Sequence, residues 1–185
     1  MAAHLIRRRF LGLLAVGLIA ACVSPVANEG DGAAVTRIFL VRHAEKEAGA
    51  DPELTPAGEA RAQALADRLS SEGVTEIWST ATRRTEQTAH PLAEALGLPV
   101  ATYDSSDLSA FAARLTASPG VKLVVGHSNT TGELAAQIGA DPGSSIDEAA
   151  EFDRMYIITR DDRLEVRSRI ARYGAPSEGE ETATP

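Results

Sequence analysis

The sequence has a single cysteine, Cys22, among 185 residues. One cysteine excludes an intramolecular disulfide, and its position near the N-terminus excludes thiol catalysis inside a folded domain. Aromatic residues make up only 4% of the chain against 44% hydrophobic residues in all, so we expect a core of mainly alanine, leucine, valine and isoleucine. No HxxxH pattern or His/Cys/carboxylate cluster is present, so the sequence predicts neither a metal site nor a cofactor.

Basic residues are outnumbered. The 18 lysines and arginines face 26 aspartates and glutamates, which gives a formal net charge of -8. Phosphate backbones attract basic surfaces, so this balance argues against nucleic acid as a partner.

The N-terminus has the layout of a secretory signal. Arg7–Arg9 precede the apolar stretch Phe10–Ala21, which is too short to span a bilayer comfortably. Ile19-Ala20-Ala21-Cys22 resembles a bacterial lipobox, in which the cysteine is lipidated and becomes the first mature residue. The alternative is an ordinary signal peptide followed by a chance cysteine.

We therefore predict a lipoprotein signal peptide over residues 1–21 and a lipid anchor on Cys22. This places the protein on the periplasmic side of a bacterial envelope. No aspartate follows Cys22 to suggest retention at the inner membrane, so resemblance to bacterial lipoproteins favours the outer membrane. Residues 22–34 read as a flexible tether, 35–174 as one domain, and 175–185 as a disordered acidic tail.

Short apolar runs alternate with helical patterns along the domain. The predicted strands are 36–41, 76–79, 100–103, 121–125, 155–159 and 164–168. The first predicted helix starts at Thr55-Pro56 and ends at Gly73. Three further helices are predicted near 83–96, 108–115 and 130–138, and Pro91 should kink or divide the helix at 83–96. This order predicts an α/β three-layer sandwich: a mostly parallel central sheet with helices on both faces and a C-terminal β-hairpin.

Two of these strands lead directly into histidines. His43 follows the strand that ends at Val41, and His127 follows the strand that ends at Val125. The carboxyl ends of parallel strands meet at one sheet edge, so both imidazoles should face one site. A neutral imidazole can attack phosphorus without a metal, and arginines such as Arg42, Arg83 and Arg84 can hold phosphoryl oxygens in bidentate contacts.

Four segments occur in the order typical of one protein family: Leu40-Val41-Arg42-His43-Ala44-Glu45, Leu54-Thr55-Pro56-Ala57-Gly58, Ser79-Thr80 to Arg84-Thr85-Glu86-Gln87-Thr88, and Gly126-His127-Ser128. Together they resemble the successive signatures of the histidine phosphatase superfamily. That superfamily includes cofactor-dependent phosphoglycerate mutases and bacterial phosphohistidine phosphatases. The resemblance covers residues 36–168.

The resemblance implies that His43 is the nucleophile and is transiently phosphorylated. It also implies that Arg42, Arg84 and His127 bind the phosphate of the substrate. Arg84 is preferred over Arg83 because its spacing to Gln87-Thr88 matches the family arginine. Arg83 is interpreted as a solvated residue at a helix start.

The chain departs from the family pattern in two places. Ala44 stands where glycine is commoner, and its small methyl group should be tolerated. The proton donor for the leaving group has no recognisable motif. Asp104 is our prediction because it follows the third strand at the same sheet edge, with Asp107 and Glu45 as the other candidates.

The sequence thus predicts a metal-independent hydrolase of phosphomonoesters or phosphoramidates, acting through a phosphohistidine. Its partner would be a phosphorylated small molecule or a phosphoprotein. Two alternatives stay open: a non-catalytic envelope lipoprotein that binds a phosphorylated ligand or a protein, and a phosphomutase. Acidic residues in the loops 48–53, 105–107 and 141–148 argue against large polyanionic substrates, and no particular oligomeric state is predicted.

Overall fold

A six-stranded sheet forms the centre of the computed structural model, which describes residues 35–177. The strands are β1 (Thr36–Arg42), β2 (Glu76–Ser79), β3 (Val100–Thr102), β4 (Gly120–Gly126), β5 (Arg154–Arg160) and β6 (Val166–Arg172). The helices are α1 (Pro56–Leu69), α2 (Arg83–Leu96), α3 (Leu108–Thr116) and α4 (Ser128–Ile138). Cys22, the predicted signal peptide and the predicted tether lie outside the described residues.

The strand order is β3-β2-β4-β1-β5-β6. The first four strands are mutually parallel, whereas β5 runs antiparallel to β1 and forms a hairpin with β6. This confirms the predicted α/β class, the mostly parallel sheet and the C-terminal hairpin.

Helices cover both faces of the sheet. Along β1, Ile38 and Leu40 pack with α3 and α4, whereas Phe39 and Val41 pack with α1 and α2. Successive strand residues point to opposite faces, so a strand that is apolar at every position belongs in the middle of such a sandwich. Among residues 35–177, no helix is long and apolar enough to cross a membrane.

The start of α1 follows its predicted chemistry. Thr55 is extended and its hydroxyl accepts a hydrogen bond from Gly58 N at 3.1 Å, while Pro56 occupies the first helical turn. The predicted end at Gly73 is wrong: α1 ends at Leu69, and Gly73 lies in the following turn with φ of 74°. Pro91 does not divide α2, which runs as one helix from Arg83 to Leu96.

The last strand also differs from its prediction. Leu164 has φ of 66°, and Asp161 Oδ1 accepts hydrogen bonds from the backbone N of Arg163 and Glu165. This turn keeps the chain from extending before Val166, so β6 starts later than predicted. At the C-terminus, Ser177 Oγ accepts a hydrogen bond from Phe152 N at 2.9 Å. Residues 178–185 of the predicted acidic tail lie outside the described residues.

Candidate active site

The two histidines lie side by side because the strands that carry them are neighbours in register. Arg42 of β1 pairs with Gly126 of β4, and each is followed by a histidine. His43 N donates to Gly126 O at 2.9 Å, and the imidazole centroids of His43 and His127 are 5.6 Å apart. The predicted meeting of the two side chains at one sheet edge is therefore observed.

His43 is held in the form that a nucleophile requires. Its Nδ1 lies 2.8 Å from Ala44 O. A carbonyl oxygen only accepts hydrogen bonds, so Nδ1 carries the proton and Nε2 keeps its lone pair. Burial, together with the smaller effect of the Arg42 and Arg84 charges, lowers the pKa of His43 to about 3, although the hydrogen bond to Ala44 O acts in the opposite direction. The side chain is thus neutral at physiological pH.

His127 is held by two contacts. Its Nδ1 lies 3.3 Å from Arg84 Nη2, and its Nε2 lies 2.9 Å from Thr80 Oγ1. Arginine only donates, so Nδ1 is the acceptor and Nε2–H is the donor. Burial, followed by the charges of Arg84 and Arg42, lowers the pKa of His127 to about 4. A phosphate dianion beside this ring would raise that pKa and favour donation from the ring to a phosphoryl oxygen.

Both histidines should therefore titrate far below pH 6.5. We expect NMR titration midpoints near 3 for His43 and near 4 for His127. Unfolded histidine takes up its proton near pH 6.5, so the unfolded state binds more protons than the folded state between pH 3 and 6.5. The free energy of unfolding should then fall on acidification through that window, by up to about 1.4 kcal/mol per pH unit for each histidine. Denaturant titrations should show a shallower fall for His43→Asn, and an unchanged slope would contradict the neutral, buried state of His43.

Arg84 brings positive charge into the cavity that contains the two rings. The cavity measures about 390 Å³ and is lined by His43, Lys46, Arg84, His127, Ser128, Asn129 and Glu148. Arg84 Nε is buried and donates no hydrogen bond to any described residue. The first turns of α2 and α4 both reach this cavity, so two helix N-termini add positive potential to Arg84 and Lys46. The arrangement suits a phosphoryl group.

Arg42 does not line this cavity. The residue is 2% exposed, and its guanidinium donates to the backbone carbonyls of Asp147, Glu148 and Glu151 at 3.1, 2.7 and 2.9 Å. It also lies 4.1 Å from the centre of the Phe152 ring. These contacts anchor the loop that forms one wall of the cavity. Its Nε is also a buried donor without a partner in the described chain, and its predicted contact with phosphate stays a prediction.

The structure does not bring Asp104 to the cavity. Asp104 follows β3, and two strands separate β3 from β1, so three strand spacings place it roughly 14 Å from the line of β1. Its carboxylate is exposed and accepts a hydrogen bond from Ser106 N at 2.8 Å, which lowers its pKa. A lowered pKa favours the ionised form, and a general acid must be protonated. The prediction of Asp104 as proton donor therefore has no support in the geometry.

The other two carboxylates considered have structural contacts. Asp107 caps α3 by accepting from Ala110 N at 2.9 Å. Glu45 accepts from Arg61 Nε and Nη2 at 3.0 and 2.7 Å, so its oxygens are occupied. Glu148 is the one carboxylate among the residues that line the His43 cavity in the described chain.

Several motif residues hold the loop after His43. Thr88 Oγ1 accepts from Ala44 N at 3.0 Å, and Gln87 Oε1 accepts from Leu54 N at 2.9 Å. A Cβ at Gly58 would lie 2.1 Å from Glu45 O, so only glycine lets α1 approach this loop. The methyl group of Ala44 is fully buried with Leu54 and Ala62, in keeping with the expectation that it is tolerated.

Sequence reasoning did not find the roles of Phe152, Thr80 and Glu148 at this site. The Phe152 ring lies 6.2 Å from His43 and covers Arg42. It follows residues 143–151, the stretch whose sequence pattern indicates a helix or strand least clearly. Thr80 was noticed as part of a motif, but its bond to His127 could not be inferred. Over residues 35–177 there is no group of three or more His, Cys, Asp or Glu side chains able to hold a metal ion.

Residues 38–105 match the model of the histidine phosphatase superfamily (branch 1). A segment of 74 residues is 39% identical to the probable phosphoglycerate mutase GpmB of Yersinia enterocolitica, covering 36% of this chain and 34% of that protein. The match thus spans about a third of the length of this curated relative.

Two solved structures share the fold. The protein histidine phosphatase SixA complexed with tungstate is similar with a TM-score of 0.59 and 21% identity, over 74% of this chain and 96% of that chain. The mycobacterial glucosyl-3-phosphoglycerate phosphatase is similar to this chain with a TM-score of 0.52 and 19% identity, and the match covers 77% of this chain and 100% of that chain. Residues 38–105 thus match the histidine phosphatase superfamily, and the two histidines and Arg84 that share one cavity are in keeping with this similarity.

Proposed function

We propose that this protein is a metal-independent phosphatase that hydrolyses phosphomonoesters or phosphoramidates through a phosphohistidine at His43. The observation that carries the proposal is the buried, neutral imidazole whose Nδ1–H is fixed by Ala44 O, beside Arg84 and His127 in one cavity. The names of similar proteins support it, since SixA is called a protein histidine phosphatase and another structure a glucosyl-3-phosphoglycerate phosphatase.

The reaction has two steps. In the first, His43 Nε2 forms a bond to phosphorus while the bond from phosphorus to the leaving-group atom breaks, and that atom takes up a proton. In the second, a water oxygen bonds to phosphorus as the N–P bond breaks, which releases inorganic phosphate and restores His43. Arg84 and His127 hold the non-bridging oxygens as their charge redistributes in both steps.

The test is turnover of 4-nitrophenyl phosphate by the full-length protein in detergent, with EDTA present. We expect EDTA-resistant release of phosphate and an acid-labile phosphoenzyme after a rapid quench. Loss of turnover in EDTA would contradict metal-independent catalysis. Binding of phosphate without turnover would favour the alternative of a non-catalytic binding lipoprotein.

A phosphomutase is the second candidate, because the curated relative is named a probable phosphoglycerate mutase. A mutase returns the phosphoryl group to a second hydroxyl, whereas a phosphatase returns it to water. Isotope-labelled phosphate recovered on an added hydroxyl acceptor would favour the mutase, and label recovered only as inorganic phosphate would favour the phosphatase.

We also propose that the domain works on the periplasmic side of a bacterial envelope, held by a lipid on Cys22. The support is the order of Arg7–Arg9, the apolar stretch Phe10–Ala21 and the lipobox-like Ile19–Cys22. Its substrate, small molecule or phosphoprotein, would then be met outside the cytoplasm.

A further inference from the structure

A second cavity opens beside the one that contains His43. It measures about 490 Å³, within the range of small-ligand sites. Its walls are α4 on one side and the loop 142–148 on the other, and it shares Ser128, Asn129 and Glu148 with the His43 cavity. A phosphorylated compound whose phosphate lies beside His43 therefore has a continuous space for its leaving group.

The charges of this second cavity are of one sign. Its charged lining residues are Glu133 of α4 and Glu148 of the loop, and both side chains are exposed. Within the described chain, neither carboxylate is engaged in an ion pair or a side-chain hydrogen bond. The remaining lining is neutral and rich in polar groups: Ser128, Asn129, Ser144, Ser145 and the hydroxyl of Tyr156.

Two buried arginines lie behind the cavity wall, and neither lines the cavity. Arg42 donates to Glu148 O at 2.7 Å and its charge attracts the Glu148 carboxylate, but the residue is only 2% exposed. Arg154 donates to Ser144 O and to Tyr156 Oη behind the cavity wall, but it is buried and pairs with both oxygens of Glu151, at 2.6 and 2.9 Å. Lys46 and Arg84 lie on the side of His43, where the phosphate would bind. The combined space thus has Lys46 and Arg84 at the end where phosphate would bind, Glu148 where the two cavities meet, and Glu133 beyond it.

We propose that this second cavity, defined by Glu133, Glu148 and the loop 142–148, binds the leaving group of the substrate and selects one that carries a protonated amine. The inference rests on the proposed function for the position of the phosphate. A cationic amine meets two free carboxylates and several neutral acceptors, whereas an anionic leaving group meets repulsion and no cationic partner. Exposed carboxylates act through screened charge, so we expect each to contribute about threefold in affinity and the two together about tenfold at low salt.

The test compares three aryl phosphates that share a phenolic leaving oxygen and differ in charge: 4-(aminomethyl)phenyl, 4-(hydroxymethyl)phenyl and 4-(carboxymethyl)phenyl phosphate. Their dissociation constants are measured by calorimetry with the full-length His43→Ala protein, which does not consume them. We expect the amine to bind about tenfold more tightly than the alcohol, and the carboxylate to bind most weakly. The preference should shrink as salt is added.

The Glu133→Gln, Glu148→Gln double variant should lose the preference for the amine. Each single variant should lose about half of the logarithm of the affinity ratio between the amine and the alcohol. Glu94→Gln, which removes an exposed carboxylate of α2 that lies in neither cavity, should keep it. Equal binding of the three compounds, no binding of any, or a preference that survives in the double variant would overturn the inference. Turnover of the same compounds by the protein with His43 intact tests the phosphatase separately: ordered binding without turnover would contradict the proposed function alone.

Discussion

Replacing His43 with alanine should reduce hydrolysis of an aryl phosphate by at least about 10³-fold, because covalent catalysis fails without its nucleophile. No other imidazole in the described chain is placed to take over. His127 faces the same cavity, but its Nδ1 accepts from Arg84 and its Nε2–H donates to Thr80. The measurement is kcat/KM with 4-nitrophenyl phosphate in EDTA, together with trapping of labelled phosphoenzyme.

The matched control is His90→Ala. His90 lies on the exposed side of α2, where it faces Glu94, and its removal should leave kcat/KM within about twofold of the unsubstituted protein. Thermal unfolding of His43→Ala shows whether a lost activity reflects lost chemistry or lost structure. Residual turnover above a hundredth of the original rate in a folded His43→Ala protein would rule out His43 as the sole nucleophile.

The parts of this site that the sequence could predict are those that depend on neighbours along the chain. His43 and His127 directly follow apolar runs, so recognising the runs as strands places both imidazoles at the carboxyl edge. The chain order of the motifs then identifies Arg84, one position from an exposed arginine. Each inference uses a distance of a few residues, over which backbone geometry is nearly fixed.

The parts that could not be predicted depend on contacts between distant segments. Arg42 binds the carbonyls of Asp147 and Glu151, which are 105 and 109 positions away. Every residue has a carbonyl, so no residue type in the loop marks it as a partner of Arg42. The prediction of Asp104 as proton donor lacks geometric support for a related reason. Its place after a strand was predicted correctly, but its distance from His43 depends on strand order, which local sequence does not encode.

Arg84 and Arg83 offer the sharpest comparison in this chain, because they are adjacent in the first turn of α2 and differ only in where they point. Arg84 reaches His127 and the cavity, whereas the Arg83 side chain is 55% exposed and pairs with Glu53 on the surface. Arg84→Ala should lower kcat/KM by about 10²–10³-fold, the usual loss when one preorganised charge-stabilising donor is removed. Arg83→Ala should change it by less than about threefold, since exposed ion pairs contribute little.

The two kinetic constants separate the roles that Arg84 could have. A phosphate ester is negatively charged before and during transfer, so Arg84→Ala should raise KM and lower kcat together. Arg84→Lys should recover part of KM and little of kcat, because an ammonium supplies charge without the planar pair of donors that follows the phosphoryl oxygens. Arg84→Ala should also raise the pKa of His127, since the Arg84 charge helps to lower it. Equal losses of kcat/KM in Arg83→Ala and Arg84→Ala would mean that activity depends on the start of α2 in general and not on the Arg84 guanidinium. A larger loss for Arg83→Ala would reassign the phosphate contact to the other arginine.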